Sequence, residues 1–169
     1  MSIPRTSASI AAGVIIAASL ALSGCSALGD LLSPTAEERD ENGTIVDGGT
    51  TDIFTLTVGD CLVEDGGTQV SDVPTVPCDQ PHAFEVYADT TMDPGEYPGE
   101  DAITAKADEV CGGAFDSFVG LAYADSALDY SYYFPTQESW EGVDDRVISC
   151  IITDPSNSEI TGSLAGAAY

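Results

Sequence analysis

The chain carries five cysteines, at positions 25, 61, 78, 111 and 150, and what they can become depends on which side of a membrane they meet. The N-terminus decides this. Arg5 supplies a small positive start, and residues 11–22 (AAGVIIAASLAL) form an apolar run. That run is long enough for the core of an export signal and too short to span a bilayer as a helix. The cysteines downstream are therefore expected in an oxidising compartment, where pairs of them close disulfides.

The apolar run ends in Leu22-Ser23-Gly24-Cys25, which resembles the lipobox of bacterial lipoproteins. In such a sequence a diacylglyceryl group is attached to the cysteine sulfur and the chain is cut before it. Residues 1–24 are accordingly expected as a lipoprotein signal peptide and Cys25 as the lipidated residue. The mature protein would be held to the extracytoplasmic face of the cell membrane by acyl chains such as palmitate, and several chains hold far better than one. Residues 25–52 are rich in Ser, Thr, Gly, Pro, Asp and Glu and poor in large apolar side chains. Such a stretch buries too little apolar surface to offset its ordering entropy, so it reads as a flexible tether. Residues 53–169 suit one globular domain.

Charge excludes one class of partner. All 29 acidic residues lie beyond Cys25, against Arg39, Lys106 and Arg146 as the only cations there. Nucleic-acid binding needs a basic surface, and three dispersed cations do not make one. The carboxylates read first as a solvating surface. Asp65-Gly66-Gly67 and the stretch from Asp154 to Glu159 hint at oxygen ligands for calcium but match no EF-hand pattern.

Within the domain, strand and helix patterns alternate. Residues 54–63 (FTLTVGDCLV) and 83–88 read as strands, the second with Phe84, Val86 and Ala88 on one face and Glu85 and Tyr87 on the other. A helix follows Pro98-Gly99, with Glu100 and Asp101 in its first turn and Ile103, Ala107, Val110, Ala114 and Phe118 at helical spacing. Cys111 belongs to that stripe. Residues 130–134 and 146–153 read as further strands, the latter with Ile148, Cys150 and Ile152 on one face. The expected fold class is α+β, a small mostly antiparallel sheet with one main helix packed on it and two disulfides. Four cysteines allow three pairings. The local pairs Cys61–Cys78 and Cys111–Cys150 are favoured, because the second staples the buried stripe of the helix to the buried face of a strand. Chain entropy gives them roughly 3 and 4 kcal/mol.

Residues 77–86 (PCDQPHAFEV) gather a cysteine, two acids and the single histidine, His82. A zinc site needs four ligands, commonly in two close pairs, and no second pair accompanies Cys78 and His82. A Cys/His dyad needs a free thiolate, which a disulfide removes. A serine such as Ser139 could meet His82 in space, but no GxSxG elbow marks it. The stretch therefore reads as scaffold, with no catalytic residue, metal or cofactor expected.

Val58-Gly59-Asp60-Cys61-Leu62, Val76-Pro77-Cys78, Pro81-His82, Glu85-Val86, Cys111 with Phe115 and Gly120, Tyr133, Pro135-Thr136, Trp140, Asp145-Arg146-Val147, Cys150 and Gly162-Ser163-Leu164 occur in an order that resembles the septum formation-related domain family of actinobacterial lipoproteins. The segment W-E-G-V-D-D-R departs from that family's usual Trp, Gly-Asp-Arg stretch and implies a longer turn there. The resemblance implies a link to septum formation or cell-envelope growth, and a division protein, envelope protein or wall component as partner. Tyr132, Tyr133, Phe134 and Trp140 are either core or a recognition patch. Arg146 is expected to pair with Asp144, Asp145 or an aromatic face. Tyr133, Trp140, Arg146 and His82 are the candidate binding residues. A non-enzymatic binding domain is the favoured reading, and a small hydrolase of the wall or of lipid-linked substrates, with His82 as base, is the alternative.

Overall fold

The computed structural model describes residues 35–64, 71–156 and 159–169. Cys25 and Asp65-Gly66-Gly67 lie outside them. Strands β1 (Glu38–Arg39) and β2 (Ile45–Asp47) form a small hairpin. The main sheet holds β3 (Gly49–Asp52), β4 (Cys61–Leu62), β5 (Asp72–Val76), β6 (Phe84–Thr91), β7 (Asp129–Tyr133) and β8 (Val147–Thr153). Its order is β3-β5-β4-β6-β8-β7, every neighbouring pair antiparallel. Helix α1 (Glu100–Val119) packs on one face, and a short helix α2 (Gln137–Gly142) precedes β8. The fold is α+β, as expected.

Each face of the sheet carries its own core. Under α1, Ile103, Ala107, Cys111, Phe115 and Val119 meet Tyr87, Ile148, Cys150 and Ile152. The helix buries a strict four-residue row, so Val110, Ala114 and Phe118 flank the seam instead of defining it. On the opposite face, Leu56, Leu62, Val73, Val86 and Ile151 form a second cluster with Ile53, Phe84 and Tyr133 at its rim. A β-bulge in β6, between Val86 and Ala88, leaves Tyr87 without a register partner on β8. The extra residue breaks the simple alternation. Phe84 and Val86 pack in the second cluster, whereas Tyr87 and Ala88 both reach the helix side. Tyr87 is buried there and donates its hydroxyl to the Cys111 carbonyl at 2.8 Å. Burial pushes that hydroxyl well above the usual tyrosine range.

Two sequence expectations need correction. Residues 54–63 are a strand only at Cys61–Leu62; Ile53–Thr55 turn as a 3-10 helix, and Gly59 takes φ +98. The Asp60 carboxylate accepts the Thr57 N–H at 2.9 Å, which closes the chain into a turn before the cysteine. Secondly, the part of the expected tether that is described is folded. β3 is the edge of the main sheet, and Ala36 bridges Thr50 in parallel. Gly49 permits that approach, since a Cβ there would lie 2.5 Å from Thr35 O and Ala36 C. Its low apolar content hid this segment, because it is held by hydrogen bonds and by Arg39 rather than by a core of its own. The domain boundary therefore falls before residue 36 rather than at 52.

Cys61–Cys78 and Cys111–Cys150 are both disulfides, with Cα–Cα distances of 5.3 and 5.5 Å. The second lies inside the core under α1, joining helix to strand where both are fully buried. Loops of 17 and 39 residues correspond to about 3 and 4 kcal/mol in the chain-entropy picture. Replacing Cys111 and Cys150 together by alanine should therefore lower unfolding free energy more than replacing Cys61 and Cys78 together. Denaturant titration under non-reducing conditions measures both; the reverse order would contradict the assignment of the helix-to-strand staple as the stronger one.

Candidate functional site

The residues singled out from sequence fall into two places. His82 belongs to the scaffold. Its backbone pairs in both directions with Ile160, at 3.0 and 2.7 Å, and the neighbouring Cys78 carbonyl accepts the Gly162 N–H at 2.6 Å. Its ring is 2% exposed, and Nδ1 sits 2.8 Å from the Gln80 carbonyl, so the proton is placed on Nδ1, which donates. Nε2 is buried without a hydrogen-bond partner among the described residues. Ser139 is engaged elsewhere: its backbone and hydroxyl form a capping box with Thr136 at the start of α2, and the hydroxyl donates to Asp145 Oδ2 at 2.9 Å. No hydrogen bond links His82 to Ser139. Asp154 closes a local turn, accepting from Ser156 N–H and O–H at 2.9 and 2.6 Å. Among the described residues, no three His, Cys, Asp or Glu side chains converge as a metal site.

Trp140 and Arg146 do come together. Trp140, in α2, is buried, and its indole N–H donates to the Gly95 carbonyl at 2.9 Å. That bond ties α2 to the loop between β6 and α1. The Arg146 guanidinium lies over the indole, its central carbon 3.7 Å from the ring centroid. Nη1 donates to the carbonyls of Trp140 and Asp145 at 2.9 and 2.6 Å. Nη2 pairs with Asp144 at 2.7 Å. The Asp145 side chain instead accepts from Ser139 and from the Val147 N–H, so of the two adjacent aspartates only Asp144 faces the cation. Stacking and ion pairing thus coexist on one guanidinium.

An open pocket of about 540 Å³ surrounds this stack, walled by Gly95, Glu96 and Tyr97 on one side and Gln137 and Glu141 on the other. Tyr97 meets Trp140 edge to face at 5.8 Å. The loop of residues 92–98 is not among the candidate binding residues, although Pro94-Gly95 and Pro98-Gly99 bracketing one tyrosine mark it as a shaped turn. Tyr133 takes no part, because it packs with the second cluster on the other face of the sheet. Tyr132 and Phe134 pair at 5.9 Å and pack against the core under α1. The four candidate binding residues are therefore not one site: Trp140 and Arg146 line the pocket, and His82 and Tyr133 do not.

The described residues thus form a disulfide-stapled α+β domain with a shallow pocket that joins an aromatic and a cationic side chain. Residues 58–168 match the septum formation family, and the chain belongs to that family. No curated protein matches the chain, and no solved structure does.

Arg146→Lys keeps the charge but loses the planar fork and the stacked surface. It should cost about 1–3 kcal/mol through the hydrogen bonds it breaks. It should also change the emission of Trp140, the single tryptophan of the chain. Urea unfolding followed by that fluorescence checks both; an unchanged midpoint and spectrum would contradict the stack.

Proposed function

We propose that this chain is a lipoprotein anchored through Cys25 to the extracytoplasmic face of the cell membrane, where its domain binds a division protein, an envelope protein or a wall component during septum formation or envelope growth. Membership of the septum formation family over residues 58–168 carries the reading. The order of basic start, apolar run and Leu22-Ser23-Gly24-Cys25 supports the anchor. Among the described residues no helix is long and apolar enough to cross a membrane. Binding is favoured over hydrolysis because the groups a hydrolase would use are engaged in structure: His82 is sealed and joined to Ile160, Ser139 caps α2, and four cysteines are oxidised. The Trp140 and Arg146 pocket is the surface on which the domain would engage its partner.

Cells expressing the protein and fed a clickable fatty acid should label the wild type and not Cys25→Ala, and the variant should appear in the medium instead of the membrane fraction. Label on Cys25→Ala would sink the anchoring. Cross-linking from the intact protein in growing cells should recover a partner of the division or envelope machinery. Recovery that is unaffected by substitution of Tyr97 and Gln137 at the pocket wall would place the binding surface elsewhere.

A further inference from the structure

We propose that the pocket beside Trp140 captures an amino acid or peptide end carrying a carboxylate and an ammonium group together, with Arg146 receiving the carboxylate in the place that Asp144 now holds. The proposal rests on the binding reading above and names the ligand chemistry of that same site.

The observation behind it is a half-used guanidinium. Nη1 is committed to the Trp140 and Asp145 carbonyls, and Nη2 to Asp144 Oδ1 at 2.7 Å. Nε is buried and has no hydrogen-bond partner among the described residues. Nε and Nη2 share one edge of the planar group, the edge a carboxylate can grip with both oxygens. Asp144 grips half of it. Stacking on Trp140 and the two carbonyl bonds already fix the plane, so little freedom is lost when a ligand arrives.

Asp144 is a weakly held occupant. Its side chain is 89% exposed, while that of Arg146 is 13% exposed. Its backbone sits at φ 60, in the left-handed region that non-glycine residues adopt at a cost. The preceding Val143 is 65% exposed, so the turn that carries Asp144 is only loosely packed. An ion pair so open to water stabilises little. A ligand carboxylate that displaces Asp144 and reaches Nε as well gains a donor that is otherwise unused.

Charge then selects among carboxylates. Arg39, Lys106 and Arg146, the cations of the described residues, are each paired with the chain's own acids, among 29 carboxylates in all. A purely anionic ligand is repelled by that field at long range. A ligand that also carries an ammonium is not, and Glu96 and Glu141 on the pocket walls lie ready to meet it. A volume of about 540 Å³ accommodates an amino acid or the end of a peptide.

The test uses Trp140 as a built-in reporter in the full chain held in detergent. L-lysine, lysinamide and acetate are titrated at constant ionic strength against wild type and Asp144→Asn. Asparagine tolerates the left-handed conformation, so this variant should keep its fold, which its unfolding curve verifies. Lysine should change the fluorescence saturably, with lysinamide and acetate each at least about tenfold weaker, the loss expected when one partner of a charge-assisted hydrogen bond is removed. Asp144→Asn should tighten lysine binding about two- to fivefold, the worth of an exposed ion pair. Lysinamide binding as well as lysine would reduce the site to an acidic patch and overturn the proposal. So would unchanged or weaker binding by Asp144→Asn, or no saturable change up to about 10 mM lysine. If lysine fails while the cross-linked partner in cells persists, the ligand class is wrong and the interaction reading stands.

Discussion

Two buried carboxylates hold the ends of the folded chain to the middle of the sheet. Asp60, 2% exposed, receives Arg39 through both oxygens at 2.7 and 2.9 Å and thereby fastens the β1–β2 hairpin. Glu85, 3% exposed, receives the Ser163 hydroxyl and the Leu164 N–H at 2.6 and 2.7 Å and fastens the C-terminal segment. The two acids are close neighbours, since Asp60 directly precedes β4, Cys61 is in register with Glu85 on β6, and the Asp60 carbonyl accepts the Val86 N–H. A carboxylate in a core is costly unless its oxygens are satisfied. Here each is met by donors from a distant part of the chain, so folding the middle creates the sites on which both ends close. Cys61–Cys78 reinforces the same corner, and His82 with Ile160 completes the C-terminal attachment.

That arrangement explains which features were legible in the sequence. The α+β class, the helix after Pro98-Gly99, the shared face of Ile148, Cys150 and Ile152 and both disulfides follow from periodicity and from cysteine chemistry, which act locally or through strong geometric limits. The ordered N-terminal hairpin did not follow, because an acidic, Ser- and Thr-rich segment looks solvated until its one cation finds Asp60 across the fold. Glu85 looked like an outward-facing residue of an alternating strand. Nothing in residues 83–88 announces that both faces of β6 are covered or that a bulge displaces Tyr87. Arg146, expected to pair with Asp144, Asp145 or an aromatic face, meets Asp144 and the Trp140 ring together, whereas Tyr97 and Glu96 enter the pocket through the loop between β6 and α1.

The same economy of cations shapes the surface. Arg39 is used for folding, Lys106 bridges Glu109 on α1, and Arg146 is stacked and paired at the pocket. The Trp140 and Arg146 pocket is where positive charge, aromatic surface and a concave shape coincide. Asp60 and Glu85, which in isolation resemble ligands or catalytic groups, are explained by attachment of the chain ends.

Native-state hydrogen exchange on Glu85→Gln and Asp60→Asn tests the anchoring role of the two carboxylates most directly. Glu85→Gln should raise exchange at the Leu164 and Ile160 amides by about a hundredfold, the loss of a hydrogen bond to a buried charge, while leaving Thr50 and Asp40 protected. Asp60→Asn should do the opposite, freeing Thr57, Asp40 and Thr50 and sparing Leu164. Uniform loss of protection in both variants, or none in either, would show that the ends of the chain are held by something other than these two acids.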